Sequence, residues 1–179
     1  MNSDKPIYAH DTLEFVTVAA EFCAFLEQSP GRDKREFEDT LLKLLPLLYL
    51  KAHLLNRVES NGDFLPDDQV TEDDYNFIRN TIYDILQADD DYEDLVYDED
   101  MQTDESHWKS LSENLADMYQ ALRNFVSVYQ QGIEDCMLDA LWSVVDSFEL
   151  YWGQNLVDTL RRLHQLRYNQ SLQADEDTL

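Results

Sequence analysis

The stretch LSENLADMYQALRNFVSVY, residues 111–129, has the most regular hydrophobic periodicity in the chain. Its apolar residues recur at intervals of three and four, as on one face of an α-helix. These residues are Leu111, Leu115, Met118, Leu122, Phe125 and Tyr129. Gly132 follows and predicts a left-handed cap at the end of the helix. The stretch therefore predicts a long amphipathic helix and an α-helical fold around it.

The composition of the whole chain agrees with a single helical domain. Of its 179 residues, 44% are apolar and 12% are aromatic, which is enough for one sizeable core. Only 4 Gly and 4 Pro are present, too few for the turns of a β-sandwich, a β-barrel or a Rossmann-type sheet. We predict an all-α fold, a single irregular bundle of about five to six helices over residues 1–179. Residues 170–179 are predicted to form a frayed polar tail.

Helical periodicity also appears on the N-terminal side of this stretch. Residues 12–28 predict a first helix and residues 33–58 a second one. Between Leu41 and Leu50 the second segment is apolar nearly all round, which makes it the best candidate for the central helix. Pro46 lies inside it and predicts a kink.

Two further features locate the remaining helices. Thr71, three residues before Asp74, predicts a capping box at the start of a third helix. After Gly132, a drifting apolar stripe runs from Ile133 to Leu163 and is interrupted by Gly153. The sequence leaves open whether this last segment is one long helix or two.

Between the third and fourth helices, residues 88–105 lose the apolar spacing and contain many acids but no Lys or Arg. We predict an acidic loop or loosely ordered insertion there. One interpretation is a solvated face that maintains solubility. The other is a docking surface, because concentrated charge costs stability through self-repulsion, and tyrosines among carboxylates supply contact area while the acids steer association. The residues predicted to bind a partner are Tyr83, Asp84, Asp89, Asp90, Asp91, Tyr92, Glu93, Asp94, Tyr97, Asp98, Glu99 and Asp100.

The net charge narrows the class of partner. A formal charge of −25 repels phosphate backbones and anionic lipid, so direct binding of nucleic acid or membrane is not expected. A basic protein is the partner that such a surface favours, and a mimic of nucleic acid is an extreme form of the same idea. An aromatic groove between helices, built from Trp108, Trp142 and Trp152, is a further way to bind a partner helix.

The sequence favours a binding protein over an enzyme, and it predicts no cofactor. It contains no Gly-rich phosphate loop, CxxC pair or nucleophile elbow. The alternative is a magnesium-dependent nucleotide hydrolase, because paired carboxylates on bundle helices can hold Mg²⁺. Its ligands would be Asp135, Asp139, Asp146 and Glu149, which recur at helical spacings.

The cellular location is predicted from the N-terminus and the cysteines. The first residues have no basic flank followed by an apolar stretch, so no signal peptide is predicted. Cys23 and Cys136 lie on apolar helical faces and resemble small hydrophobic residues more than a disulfide framework. We therefore expect a cytoplasmic protein.

Four stretches carry a resemblance to a known family. They are LLPLLYL at 44–50, LADMYQAL at 115–122, YWGQNL at 151–156 and Leu163-His164. With them the chain resembles a family of uncharacterised, all-helical cytoplasmic proteins from Bacteroides-type bacteria. The resemblance implies a helical fold and a bacterial source, and it assigns no catalytic residue.

Overall fold

The computed structural model describes residues 5–60, 62, 68–98 and 103–169, with the backbone alone for 95–98 and 103–105. It confirms the all-α prediction, because six α-helices and short helical turns make up most of the described residues. The helices are α1 (His10–Glu27), α2 (Lys34–His53), α3 (Glu72–Leu86), α4 (Leu111–Gln131), α5 (Glu134–Ser147) and α6 (Gly153–Tyr168). In this part of the chain, no helix has the length and apolar character needed to cross a membrane.

The central helix is α4, which packs against α1, α3, α5 and α6. Its predicted stripe is buried: Leu115, Met118 and Leu122 are all 0% exposed. The prediction that Leu41–Leu50 forms the central helix is wrong. The helix that contains it, α2, packs mainly on α1 and α6, and Leu50 is 50% exposed. An apolar run on all sides of a helix does not by itself determine which sides are covered.

The predicted helix caps are confirmed. Thr71 Oγ1 accepts a hydrogen bond from the Asp74 backbone N–H at 3.1 Å, and Asp74 Oδ2 accepts one from the Thr71 N–H at 3.1 Å. Gly132 ends α4 with φ of 73°, a conformation that costs glycine little. Pro46 lies within α2, which continues beyond it to His53.

The segment 88–105 is a β-hairpin over most of its length, so the prediction of a loop or loosely ordered insertion is wrong there. Strand β1 (Asp91–Asp98) pairs antiparallel with β2 (Thr103–Ser110), and Glu93 lies opposite Trp108. Residues 99–102, which lie between the two strands in the sequence, are outside the described residues. A search for apolar periodicity misses this hairpin because acids lie on both faces of its base. The buried acid, Asp94, is neutralised by Lys109 of β2 and by Arg161 of α6.

The last segment is one continuous helical run with a π-turn inside it. The turn spans Phe148–Trp152, between α5 and α6. Gly153 follows the turn, and a Cβ atom at this position would lie 2.4 Å from the Phe148 carbonyl oxygen. Glycine is therefore required where the π-turn joins α6.

Candidate functional site

The two faces of the hairpin base differ in exposure. On the inner face, Tyr92 is 6% and Asp94 7% exposed. On the outer face, the alternate residues Asp91, Glu93 and Trp108 are exposed. This separation follows from strand geometry, because successive side chains of a strand point to opposite sides.

A group of partly buried ion pairs anchors the inner face to α6. Lys109 Nζ lies 2.8 Å from Asp94 and 2.7 Å from Asp158 of α6. Arg161 of α6 forms a second ion pair with Asp94. The hydrogen bonds from Lys109 and Arg161 lower the pKa of Asp94 despite its burial. The hairpin is thus held in place by charges that neutralise one another.

Asp90 connects the start of the hairpin to the N-terminus of α4. Its Oδ1 accepts a hydrogen bond from the Ser112 backbone N–H at 2.7 Å, and its Oδ2 accepts from the hydroxyls of Ser110 and Ser112, each at 2.7 Å. A carboxylate in this position satisfies an N–H of the first turn and interacts favourably with the helix dipole. Asp90 is 1% exposed and therefore serves the fold.

Three residues predicted to bind a partner are thus turned inward. They are Asp90, Asp94 and Tyr92, whose hydroxyl accepts a hydrogen bond from Asn114 Nδ2 at 3.1 Å. For these three the prediction of a solvated docking surface is wrong. Tyr92 and Asp94 are buried because a strand within a folded domain buries alternate residues, and Asp90 is buried because it caps α4.

The outer face carries exposed aromatic rings. Trp108 is 74% exposed and Tyr83 of α3 is 50% exposed. Both line one depression between α3 and β2, together with Arg79, Asp91 and Glu113. Among the exposed aromatic rings of the described residues, that of Trp108 has the largest exposed fraction.

The other predicted residues differ in their surroundings. Asp84 is exposed on α3, and Asp89 forms an ion pair with Lys34. Tyr97 and Asp98 belong to β1, where they pair with Asp104 and Thr103. Glu99 and Asp100 lie outside the described residues.

Sequence reasoning misses two residues that shape this region. Trp108 is counted among the aromatic residues without being placed at the site, and Lys109 is not linked to the acids that it neutralises. The local signal that favours a strand here is the group Tyr92, Val96 and Tyr97, because β-branched and aromatic residues are enriched in strands.

The four acids of the predicted magnesium site do not form a metal centre. Asp139 is 0% exposed and accepts a hydrogen bond from Ser60 Oγ at 2.8 Å, whereas Asp135 is exposed. Glu149 forms an ion pair with Arg57. In the described residues, no three of these acids bring oxygen atoms within 4.8 Å of one another; the one group that meets this distance, His10, Asp11 and Glu14, lies at the surface.

Comparison with known proteins identifies relatives over most of the chain. Residues 6–169 match the family described as "Domain of unknown function (DUF5063)". The crystal structure of protein BF1032 from Bacteroides fragilis is similar, with 43% sequence identity and a TM-score of 0.82 over 92% of this chain and 96% of that one. No curated protein matches the chain. The resemblance to a Bacteroides-type family is thereby confirmed, and the chain belongs to the DUF5063 family.

Proposed function

We propose that this protein is a protein-interaction module that docks a basic segment of a partner on its outer hairpin face. This face is defined here as Tyr83, Asp84, Asp91, Glu93 and Trp108. The observation that carries the proposal is the exposure of Tyr83 and Trp108, which line the same depression next to Asp91.

The chemistry of the outer hairpin face suits lysine and arginine side chains. A cation above the ring of Trp108 or Tyr83 gains a cation–π interaction. The flanking carboxylates of Asp91 and Glu93 attract cations and orient the approach of a basic partner. Arg79 and Lys109 also line the depression. Arg79 lies 3.9 Å from Glu113, and Lys109 forms ion pairs with Asp94 and Asp158, so both charges are partly compensated.

The inner face supports this function because its ion pairs hold the hairpin, and with it the outer hairpin face, in one position. The ion pairs between Asp94, Lys109 and Arg161 hold β1 and β2 against α6. A surface that is already ordered loses little conformational entropy when it binds. The aromatic rings are therefore presented on a rigid support.

We also propose a cytoplasmic location. The support for it is that Cys23 and Cys136 are free thiols, the form that a reducing compartment maintains. Burial raises the pKa of the Cys23 thiol, so this cysteine is suited to packing and not to reaction.

The docking proposal can be tested with a random dodecapeptide library displayed on phage, selected against the wild-type protein at about 0.15 M salt. We expect selected peptides to be rich in Lys and Arg. They should lose binding to a variant that combines Trp108→Ala, Asp91→Asn and Glu93→Gln.

A matched variant controls for overall charge. Glu21→Gln with Asp135→Asn also removes two exposed acids, but both lie outside the outer hairpin face. Selected peptides should still bind this control. Peptides without enrichment in Lys or Arg, or basic peptides that bind the triple variant as well as the control, would contradict the proposal.

A further inference from the structure

A cleft between α4 and α5 lies outside the proposed docking surface. It has a volume of about 320 Å³. Its floor is apolar and consists of Ala121 and Phe125 of α4 and Ala140 and Val144 of α5. The small side chains of the two alanines leave space between helices that otherwise pack closely. A pocket of this kind, with an apolar floor and a few polar groups, is typical of a site for a small molecule.

The polar groups of the cleft are acceptors and neutral groups. Asp117 and Asp68 line it, together with Gln120, Asn124, Ser143 and the ring of Tyr151. Among the described residues, no Lys, Arg or His lines it.

Asp117 is held in a fixed position at the cleft. It accepts hydrogen bonds from the hydroxyl of Tyr75 at 2.9 Å, from the hydroxyl of Tyr151, and from Asn155 Nδ2 at 3.3 Å. Burial and the bond to Asp117 raise the pKa of both tyrosines, so both remain donors at neutral pH. Three neutral donors orient the carboxylate without a counter-charge.

The π-turn places Tyr151 next to Asp117. A π-turn within an α-helix costs stability and occurs frequently at functional sites. Here it carries one wall of the cleft, and Gly153 makes it possible because any Cβ there would contact the Phe148 carbonyl oxygen. The π-turn and the hydrogen-bonded carboxylate of Asp117 thus lie at the same cleft.

We infer that the cleft binds a small organic amine in its protonated form, with the ammonium group at Asp117 and the apolar part on Phe125 and Val144. A carboxylate that is oriented by neutral donors and has no cation beside it attracts an ammonium group. The apolar floor favours an amine with a hydrocarbon body over a bare metal ion.

The test uses three probes that share one hydrocarbon chain: n-hexylamine, n-hexanol and hexanoate. Binding is followed by ¹H–¹⁵N NMR at about 0.15 M NaCl through the side-chain amides of Gln120 and Asn124. We expect saturable shifts with n-hexylamine at a Kd of about 1 mM or below, and no saturable shift with the other two. Equal shifts with n-hexanol would overturn the role of the charge.

Two variants in the cleft and one control outside it locate the binding. Ser143→Trp places a large ring in the cleft from an exposed position and should abolish the shifts, while Glu21→Gln should leave them unchanged. Asp117→Asn should weaken binding at least ten-fold. If the loss of hydrogen bonds in this variant prevents folding, the result for Ser143→Trp decides the test. Absence of saturable shifts in the wild type, or an unchanged response in Ser143→Trp, would overturn the inference.

Discussion

The inner and outer faces of the hairpin base are built from the same residue types but serve different purposes. Asp94 on the inner face is almost fully buried and contacts cations, and Asp90, just before β1, is equally buried and contacts serines. On the outer face, Asp91 and Glu93 are exposed next to Trp108. Within β1, strand alternation decides which acids are buried, and Asp90 is buried because it caps α4. The acids of one run must therefore be separated by position before a role is assigned to them.

The largest loss of stability is expected for Asp94→Ala. Removal of this carboxylate leaves Lys109 and Arg161 without their shared partner on the hairpin. We expect the free energy of unfolding to fall by about 2 kcal/mol, less than for a fully buried pair because half of Arg161 is in solvent. Urea unfolding at pH 7 measures the change. A decrease below about 0.5 kcal/mol would mean that the inner face does not anchor the hairpin.

The second-largest loss of stability is expected for Asp90→Ala. Substitution of the neighbouring Asp91 is its control. Loss of the bond to the Ser112 N–H should lower the free energy of unfolding by about 1–2 kcal/mol, as for other helix caps. Asp91→Ala removes the adjacent acid on the opposite face and should change it by less than about 0.5 kcal/mol. Thermal unfolding measures both changes. If the two substitutions lower the free energy of unfolding equally, the buried and the exposed acid do not differ in their contribution to the fold.

The pH dependence of stability tests the contribution of the Asp94 carboxylate on the inner face. Because the pKa of Asp94 is lowered in the folded state, its stabilisation is present above the pKa of an unfolded aspartate, about 3.9, and is lost as pH falls through the folded value. The difference in unfolding free energy between wild type and Asp94→Asn should be constant from about pH 7 to pH 5 and shrink below about pH 4. A difference that grows on acidification would contradict the assignment.

The smallest effect on stability is expected on the outer face. Asp91→Asn with Glu93→Gln should change the free energy of unfolding by less than about 0.5 kcal/mol, because exposed charges contribute little. The same pair should weaken the binding of basic peptides and reduce its dependence on salt. Calorimetric titration at two salt concentrations measures both. Lower stability with unchanged peptide binding would reverse the roles of the two faces.

The helices could largely be predicted from the sequence, because the stripe of α4 and the caps at Thr71 and Gly132 are local signals. The central position of α4 was missed, since burial depends on which helices meet across the fold. The hairpin was missed for a related reason: Asp94 is neutralised by Arg161, 67 residues away in the sequence, and no local pattern indicates such a pair. The sequence also does not indicate how β1 and β2 pair, so it does not place Trp108 on the outer face.

The most direct test of the docking proposal follows the indole N–H signals of the tryptophans by ¹H–¹⁵N NMR during titration with a pentalysine peptide at about 0.15 M NaCl. Trp152 is an internal reference, because it is 0% exposed and donates its N–H to the Val144 carbonyl at 3.1 Å. We predict a saturable shift of the Trp108 signal with little change at Trp152. If the peptide binds while the Trp108 signal stays in place, or if it does not bind at all, the outer hairpin face is not the docking surface.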